Sequence, residues 1–258
     1  MTKERLTLVK VGGKVVETPA SLHLLLQRFS ALEGRKVLVH GGGRTATLVA
    51  EQLGVETHMI DGRRVTDADM LRIVTMVYGG LVNKNLVAAL QQCGVNALGL
   101  TGADMHVIRS HRRPPKNGVD YGYVGDVDTV DAERLSRLIE SGITPVMAPL
   151  TYDGQGALLN TNADTIAGET AKALAQYYDV TLVYCFEHAG VLADPARPDS
   201  VIPHITSAIF TQLKADGVVA GGMIPKIENS LEAVAAGVGR VVITRAEALG
   251  SDGGTRIE

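Results

Sequence analysis

Short apolar runs that stop at glycines alternate along this chain with helical stretches, and this alternation constrains the fold more than any other feature. Residues 6–11 and 37–40 are β-branched and apolar, and each run ends at two or three glycines, as buried strands do. Between them, residues 18–32 carry apolar residues at the spacing of one helical face, after a Thr-Pro pair typical of a helix start. The pattern predicts a strand, a helix and a second, parallel strand.

The same alternation continues towards the C-terminus. It predicts helices at residues 45–53, 67–92, 131–140, 164–177, 207–215 and 226–236, and strands at 97–100, 144–148, 180–185 and 240–243. The stretch 67–92 fits one helix or a pair broken near Gly79 and Gly80. Residues 105–128 alternate and are rich in turns, which predicts an inserted antiparallel hairpin, whereas residues 152–156 read as a loop. A mainly parallel sheet covered by helices is therefore expected.

The composition excludes several classes of protein. Of the 258 residues, 45% are hydrophobic and 21% are charged, which is typical of a soluble globular chain and not of a disordered one. The formal net charge of -3 offers no field for a nucleic acid, so the basic residues 111–113 are interpreted as a solvated hairpin. Cys93 and Cys185 have no disulfide or metal spacing, and no apolar run approaches the about 18 residues of a membrane span. We expect a cytoplasmic protein without membrane partners.

Lys10 stands near the end of the first predicted strand, two residues before Gly12. A lysine on a core strand needs a partner, and an anion bound by bare N–H groups at the carboxyl end of the sheet would supply one. An edge strand with the lysine reaching solvent explains the same residues. The lysine and its glycines alone favour neither interpretation.

Three glycines in succession follow His40 at the end of the second predicted strand. Each glycine loses more backbone entropy on folding than another residue would, so contact between bare main chain and a ligand is indicated. The motif is neither a P-loop nor a dinucleotide fingerprint, because the following Lys-Ser/Thr and the spaced glycines are missing. His40 itself is expected to be a hydrogen-bonded structural residue and not a base.

Three later motifs add charged and polar groups. Residues 61–67 (DGRRVTD) place two arginines before a helix start, where one suits a bidentate contact with a carboxylate and the other suits solvent. Residues 160–164 (NTNAD) bring two amides and a carboxylate to a helix start, with helix capping by Asp164 as the alternative. Residues 221–226 (GGMIPK) deliver a second lysine to another helix. Together with the glycine turns, these motifs favour an anion-handling site.

On these motifs the chain resembles the amino acid kinase family, from about residue 6 to residue 258. They are VKVGGK, VHGGG, GRRVTD, NTNAD and GGMIPK, of which the last three in this order are the most specific. The resemblance implies a three-layer αβα sandwich on an open, mostly parallel sheet with an inserted hairpin, as in carbamate-kinase-like proteins. It implies one domain, with an acyl-amino-acid lobe at about 1–160 and an ATP lobe at about 161–258.

The resemblance also implies a reaction, the ATP-dependent phosphorylation of the γ-carboxylate of an N-acyl-L-glutamate in arginine biosynthesis. The acyl group is acetyl or a relative such as succinyl. The product is an acyl phosphate, and no protein base is needed because the carboxylate arrives deprotonated. Mg²⁺ is expected to be carried on the ATP phosphates, without metal ligands from the protein.

Residue roles follow from the same resemblance. Lys10 and Lys226 would neutralise the transferring phosphoryl group, and Asp164 would hold both lysines. Substrate binding is assigned to the backbone N–H groups of Gly12, Gly42 and Gly43 and to the side chains of Arg64 and Asn160. The nucleotide is assigned to Glu187, Gly190, Gly221 and Gly222. At residues 185–190 (CFEHAG) the chain departs from the Ser/Thr-Asp pair that relatives usually carry, and Glu187 would replace that aspartate.

Other functions stay open. The same fold carries aspartate, glutamate, carbamate and uridylate kinases, although GRRVTD with NTNAD favours an N-acylated glutamate. A non-catalytic ligand sensor is the alternative from another class, and both lysines with Asp164 speak against it. The resemblance implies a homodimer, for which the helical region around residues 70–90 is a candidate surface; that region fits the protein core equally well. In the family that the chain resembles, arginine-inhibited members carry an extra N-terminal helix that links dimers into a hexameric ring. Only residues 1–5 precede the first predicted strand here, so the resemblance implies a dimer that is insensitive to arginine.

Overall fold

The computed structural model describes residues 3–60, 62–194, 196–221 and 223–258. The strands are β1 (Arg5–Val11), β2 (Arg35–His40), β3 (Met59–Ile60), β4 (Arg63–Arg64), β5 (Ala97–Leu100), β6 (Ile108–Arg112), β7 (Gly125–Val130), β8 (Thr144–Met147), β9 (Leu150–Tyr152), β10 (Leu158–Asn160), β11 (Asp179–Phe186), β12 (His204–Ile205), β13 (Arg240–Arg245) and β14 (Thr255–Ile257). The α-helices are α1 (Gly13–Glu17), α2 (Pro19–Ala31), α3 (Gly43–Gln52), α4 (Ala68–Val74), α5 (Asn83–Gln92), α6 (Ala132–Glu140), α7 (Ala163–Leu174), α8 (Ser207–Ala215) and α9 (Met223–Ala235).

The main sheet in the described residues has eight strands in the order β12-β14-β13-β11-β1-β2-β8-β5. Neighbours pair in parallel except β13 and β14, which are antiparallel. The strand β1 lies in the interior between β11 and β2, so the edge-strand explanation of Lys10 is wrong. The predicted mostly parallel α/β sheet is confirmed.

Hydrophobic layers cover both faces of this sheet, because residues of one strand alternate between them. Leu8 packs in the layer under α6, α7 and α9, and Val9 packs in the layer under α2, α3 and α5. Large side chains such as Phe29 and Leu135 are completely buried. Burial of each such side chain stabilises the fold by about 1.5–3 kcal/mol. The result is the three-layer αβα sandwich that the resemblance implied.

A second, four-stranded sheet in the order β10-β9-β6-β7 contains the predicted hairpin. Strands β6 and β7 pair antiparallel within residues 105–128 and just beyond them. The predicted loop at 152–156 is confirmed except for Tyr152, which ends β9, and it connects β9 to β10, which pair antiparallel. These two strands are only three residues long, too short for alternation to reveal them.

Residues 68–92 form one continuous helical run, so the single helix is confirmed and the alternative of a pair broken near Gly79 and Gly80 is wrong. Between α4 and α5, residues Thr75–Val82 wind as a π-helix that contains both glycines. By length and composition alone, this run would also qualify as a membrane span. Its residues Met70 and Leu90 pack in the layer with α2 and α3, so core packing accounts for part of the apolar composition, whereas Met76 and Leu81 are exposed.

Candidate active site

Two glycine loops meet at the carboxyl ends of β1 and β2. A Cβ atom added to Gly41 would lie 3.2 Å from the Gly13 nitrogen, and one added to Gly13 would lie 3.7 Å from the Gly42 nitrogen. Side chains here would therefore fill the space in which the two main chains approach one another. The 3.2 Å distance is shorter than nine in ten Cβ contacts and accounts for the glycine at position 41, whereas 3.7 Å is an ordinary contact and does not require the glycine at position 13.

The N–H groups of these loops divide into bonded and unbonded ones. The Gly12 N–H donates to the Cys185 carbonyl at 2.9 Å, so it is not free to bind the substrate, contrary to the prediction. The Gly41 N–H donates to the Val11 carbonyl at 3.1 Å. Gly13 and Gly43 begin α1 and α3, where first-turn N–H groups have no partner within the helix. Gly42 lies directly before α3 and is the N-cap residue of this helix. Gly13, which sequence reasoning missed, therefore joins Gly42 and Gly43 as a candidate anion-binding amide.

Lys10, Asp164 and Lys226 come together above these loops. Lys10 Nζ lies 2.7 Å from one carboxylate oxygen of Asp164, and Lys226 Nζ lies 3.5 Å from the other. Their side chains are 13%, 24% and 19% exposed, so all three are mostly withdrawn from water. They stand on three different elements, at the end of β1 and in the first turns of α7 and α9.

The charges of this cluster perturb one another. Burial would raise the pKa of the Asp164 carboxyl, but the opposing attraction of Lys10 and Lys226 outweighs it and lowers the pKa. Burial lowers the pKa of Lys226, and repulsion from Lys10 adds to this, while Asp164 works in the opposite direction. An ionised aspartate between two lysines leaves an excess of positive charge, which suits an anionic ligand.

Asp164 is free for this role because another residue caps its helix. The Asn162 Oδ1 atom accepts hydrogen bonds from the N–H groups of Asp164 and Thr165, at 2.7 and 3.3 Å. Capping of α7 by Asp164, the alternative that the sequence left open, is therefore wrong. Capping by an asparagine two residues earlier leaves the carboxylate pointing to the two lysines.

Arg64 is buried on β4 and links this strand to the glycine loop. Its Nη2 donates to the Gly43 carbonyl at 2.8 Å and to Thr47 Oγ1 at 2.9 Å, and its Nη1 donates to Thr57 Oγ1 at 3.2 Å. The guanidinium therefore holds the start of α3 in place. It also lines the cavity beside that loop.

This cavity has a volume of about 200 Å³ and brings together most of the residues predicted to bind substrate. Its lining residues are Gly41, Gly42, Gly43, Met59, Gly62, Arg63, Arg64, Tyr78, Val124, Pro149, Asn160, Thr161, Asn162 and Ala163. Gly12 does not line it. Arg63, the arginine that the sequence allowed to be solvated, does. Burial lowers the pKa of Arg63, with a further contribution from Arg113.

Tyr78 forms one wall of the cavity and was missed by sequence reasoning, since nothing distinguishes it within the apolar helix. A Cβ atom on Gly42 would lie 3.1 Å from the Tyr78 ring, so the glycine is needed for the contact. Burial raises the pKa of Tyr78 although Arg64 opposes the change, and the hydroxyl stays protonated at neutral pH. The π-helical turns place this ring where it covers the glycine loop.

The residues assigned to the nucleotide have mixed surroundings. Glu187 forms an exposed ion pair with Lys14 at 2.7 Å. Gly190 is buried, and a Cβ atom there would lie 2.6 Å from Thr255 Oγ1, so packing alone requires the glycine. Gly221 is exposed with a φ of +55° just before α9, and Gly222 lies outside the described residues. A nucleotide contact of these residues stays a prediction.

The cysteines and the acidic residues add no further site. Cys93 and Cys185 are free thiols, as predicted. Burial raises the pKa of Cys185 to about 12, so this thiol is inert at neutral pH. Over the described ranges, no three His, Cys, Asp or Glu side chains are grouped so that they would hold a metal ion.

A parallel sheet with glycine amides at its strand ends, next to two lysines that share one aspartate, defines an α/β phosphotransferase. Phosphotransferases of this kind act on many substrates, so the family has to be identified separately. The chain belongs to the amino acid kinase family, whose model matches residues 5–245.

Known proteins agree with this assignment over nearly the whole chain. The chain is 66% identical over 256 residues to the acetylglutamate kinase of Bacteroides fragilis, covering 99% of this chain and 98% of that protein. The crystal structure of smu.665 from Streptococcus mutans UA159 matches with a TM-score of 0.80 and 33% identity, covering 98% of both chains. Carbamate kinase from Giardia lamblia bound to AMP-PNP shares the fold, with a TM-score of 0.71 at 16% identity and coverage of 99% and 98%.

Proposed function

We propose that the protein phosphorylates the γ-carboxylate of N-acetyl-L-glutamate with ATP, giving the acyl phosphate and ADP, as a step of arginine biosynthesis. The observation that carries this proposal is the Lys10–Asp164–Lys226 cluster, which lies at the end of the interior strand β1, where Lys10 stands two residues before Gly12. The high identity with a full-length acetylglutamate kinase supports the choice of acceptor.

The cavity beside the glycine loop suits the acyl-glutamate. Arg64 and Asn160 would bind the α-carboxylate, and this orientation directs the γ-carboxylate towards the amides of Gly42 and Gly43. A glutamate carboxyl ionises near pH 4.3, so it reaches the site as a nucleophile at neutral pH and needs no base. The site therefore has to position two anions and offset their repulsion.

Lys10 and Lys226 supply that compensation. One γ-carboxylate oxygen forms a bond to the γ-phosphorus of ATP while the bond to the β,γ-bridging oxygen breaks, and its electron pair leaves with ADP. The two ammonium groups stand on either side of Asp164, so both can approach the equatorial oxygens of the transferring group. Mg²⁺, carried by the ATP phosphates, would neutralise part of their charge.

ATP is assigned to the half of the chain from about residue 161 onwards, and the acyl-glutamate to the half before it. Glu187, Gly190, Gly221 and Gly222 remain the proposed nucleotide contacts. Glu187 and Lys14 link the loop after β11 to helix α1, so nucleotide binding next to either residue would act on both halves. The free thiols Cys93 and Cys185 support a cytoplasmic location.

A homodimer is proposed for the assembly. Met76 and Leu81 on the long helical run are 53% and 50% exposed, and Leu98 on the edge strand β5 is 39% exposed. Large apolar side chains that lie in water on a sheet edge and its neighbouring helix suit a second copy of the chain, whose surface would bury them.

A second acceptor, N-succinyl-L-glutamate, is favoured by one observation. Arg63 lines the substrate cavity and also an adjoining cavity of about 590 Å³, whose lining includes Lys116 and an ion pair between Arg113 and Asp126. A longer acyl group that ends in a carboxylate would find the positive charges of Arg63 and Lys116 there, whereas an acetyl group has no charge to pair with them.

A coupled ADP-release assay on the purified protein tests these proposals. The acceptors are N-acetylglutamate, N-succinylglutamate, glutamate, aspartate, carbamate and uridylate, each with MgATP. We expect turnover with an N-acylated glutamate and none with the other four. Turnover with one of those four would assign a different activity of the family, and calorimetric binding of both ligands without ADP release would indicate a sensor.

A further inference from the structure

We infer that His40 is a positioning residue, whose imidazole holds the Gly41–Gly42 peptide so that the Gly42 N–H faces the reacting groups. The inference rests on the proposed function, because it assigns Gly42 N–H to an oxygen of the phosphoryl or γ-carboxylate group. The inference assigns a function to His40, which is buried and takes no part in the mechanism above.

His40 is completely buried at the end of β2 and has a defined partner on each ring nitrogen. Its Nδ1 lies 2.8 Å from the Gly41 carbonyl oxygen, and its Nε2 lies 3.1 Å from the side-chain amide nitrogen of Asn83. Both the Gly41 oxygen and the Asn83 nitrogen have fixed roles, as acceptor and donor. The imidazole must therefore carry its proton on Nδ1 and accept at Nε2.

The orientation of Asn83 is itself determined by its neighbours. Its amide nitrogen also donates to the Val146 carbonyl at 2.9 Å, and its Oδ1 accepts from Lys84 Nζ at 3.2 Å. With the amide reversed, two carbonyl oxygens would face one another and two donors would meet. The neighbouring strand leaves room for this residue, since a Cβ atom on Gly99 would lie only 1.8 Å from Asn83 Oδ1.

The imidazole stays neutral at physiological pH. Burial, the largest effect, lowers the pKa of His40 to about 4; the hydrogen bond to Gly41 opposes the change, and the charge of Lys84 adds to it. A neutral ring has one N–H only, so donation to Gly41 excludes donation to any other group. Nδ1 carries the proton that it donates to the Gly41 carbonyl, so this nitrogen cannot act as a general base.

The consequence for Gly42 follows from peptide geometry. The Gly41 carbonyl and the Gly42 N–H belong to one planar, trans peptide unit and point in opposite directions. Fixing the oxygen against His40 therefore fixes the direction of the Gly42 N–H as well, and Gly42 is one of the residues that line the cavity. Backbone bonds hold the loop on either side of this peptide, from Gly41 N–H to the Val11 carbonyl and from Ala46 N–H to the Gly42 carbonyl. The bond from His40 holds the peptide between them, where two glycines would otherwise allow it to turn over.

Two variants separate positioning from packing. In His40→Asn, the side-chain amide nitrogen replaces Nδ1 and keeps a donor for Gly41, but contact with Asn83 is lost. In His40→Gln, the amide reaches the place of Nε2 and the donor to Gly41 is lost. Both leave space in the core, so thermal unfolding should show a similar loss of stability. We expect His40→Asn to keep kcat within about threefold and His40→Gln to lose about 10- to 100-fold, with KM values little changed.

Equal kcat losses in the two variants, or a preserved kcat in His40→Gln, would overturn the inference. A second measurement does not depend on the folding of variants: ¹⁵N NMR of the wild-type imidazole, where a proton on Nε2 would also overturn it. The wild-type assay separates this test from that of the proposed function. A wild type inactive on N-acylated glutamates contradicts the function, whereas an active wild type with an unaffected His40→Gln contradicts the role of His40 alone.

Discussion

Three side chains dominate the site at the scale of single residues. Two lysines and one aspartate lie within ion-pair distance, so the aspartate offsets only one of the two positive charges. An arrangement of this kind is costly in the free protein, because burial opposes the charge on Lys226. It becomes favourable when an anionic phosphoryl group arrives, which is what transition-state stabilisation by preorganised charge requires.

Replacement of either lysine should remove most of the activity. We expect Lys10→Ala and Lys226→Ala each to lower kcat by at least about a hundredfold, the usual scale for loss of one preorganised charge. Lys214→Ala is the matched control, since that lysine forms an exposed ion pair with Glu228. Steady-state kinetics with thermal unfolding measure both effects, and normal turnover in either site variant would contradict the mechanism.

Asp164→Asn should change the pH dependence. Lys226 acts in its charged form, so kcat/KM for ATP falls as the pH rises through the lysine pKa, which burial has already lowered. Asp164 opposes that lowering, and its removal should move the alkaline limb of the profile to lower pH. Asp216→Asn, an exposed change at the end of α8, serves as control. An alkaline limb that stays in place or moves to higher pH would show that Lys226 is not the titrating group.

At the scale of elements, the sequence predicts the longer strands and helices and misses the strands of two or three residues. The strand at 97–100 and the helix at 207–215 occur as predicted, because a short run rich in apolar residues before a turn and a longer stretch after a helix-capping threonine are signals that the local sequence carries. The pairs β3 with β4 and β9 with β10 have strands of two or three residues and depend on their partners for stability. Core packing keeps residues 68–92 helical through two glycines, against their low helix propensity.

The candidate site shows the same division. Lys10, Asp164 and Lys226 stand out in the sequence only through the motifs VKVGGK, NTNAD and GGMIPK taken together, and their roles follow from the family resemblance, because Lys10 alone also fits an edge strand and Asp164 alone also fits a helix cap. Gly13 and Tyr78 are not evident, since one becomes an anion-binding amide only when α1 begins there and the other lies within a uniformly apolar helix. Their roles depend on contacts between distant parts of the chain.

Gly99 of strand β5 offers a test at this scale. An added methyl group would lie 1.8 Å from Asn83 Oδ1, so Gly99→Ala must displace a buried, hydrogen-bonded amide. We expect the free energy of unfolding to fall by about 1–3 kcal/mol. Gly168→Ala in α7 is the control, because its methyl group would meet Tyr184 at an ordinary 3.6 Å and should be neutral or stabilising. Urea unfolding of both variants decides, and equal stabilities would contradict the packing argument.

At the scale of the whole molecule, the proposed dimer has a direct test. We expect the wild type to be a dimer by light scattering and the variant Met76→Asp/Leu81→Asp to be a monomer, because the charges would be buried against a second copy. Leu48→Asp/Leu53→Asp is the matched control, since both leucines are 59% exposed near or on α3. A monomeric wild type would refute the proposed homodimer. Dimer loss only in the control variant would place the interface on α3.

The central claim is the transfer of a phosphoryl group to the γ-carboxylate of an N-acylated glutamate, and trapping of the product tests it most directly. Hydroxylamine attacks the acyl carbon of an acyl phosphate and displaces phosphate, so the product becomes a stable hydroxamate that mass spectrometry identifies. With N-acetylglutamate and MgATP, we predict the γ-hydroxamate in amounts equal to the ADP released, and none with Lys10→Ala over the same time. ADP release without hydroxamate, or a hydroxamate on the α-carboxylate, would contradict the proposed reaction.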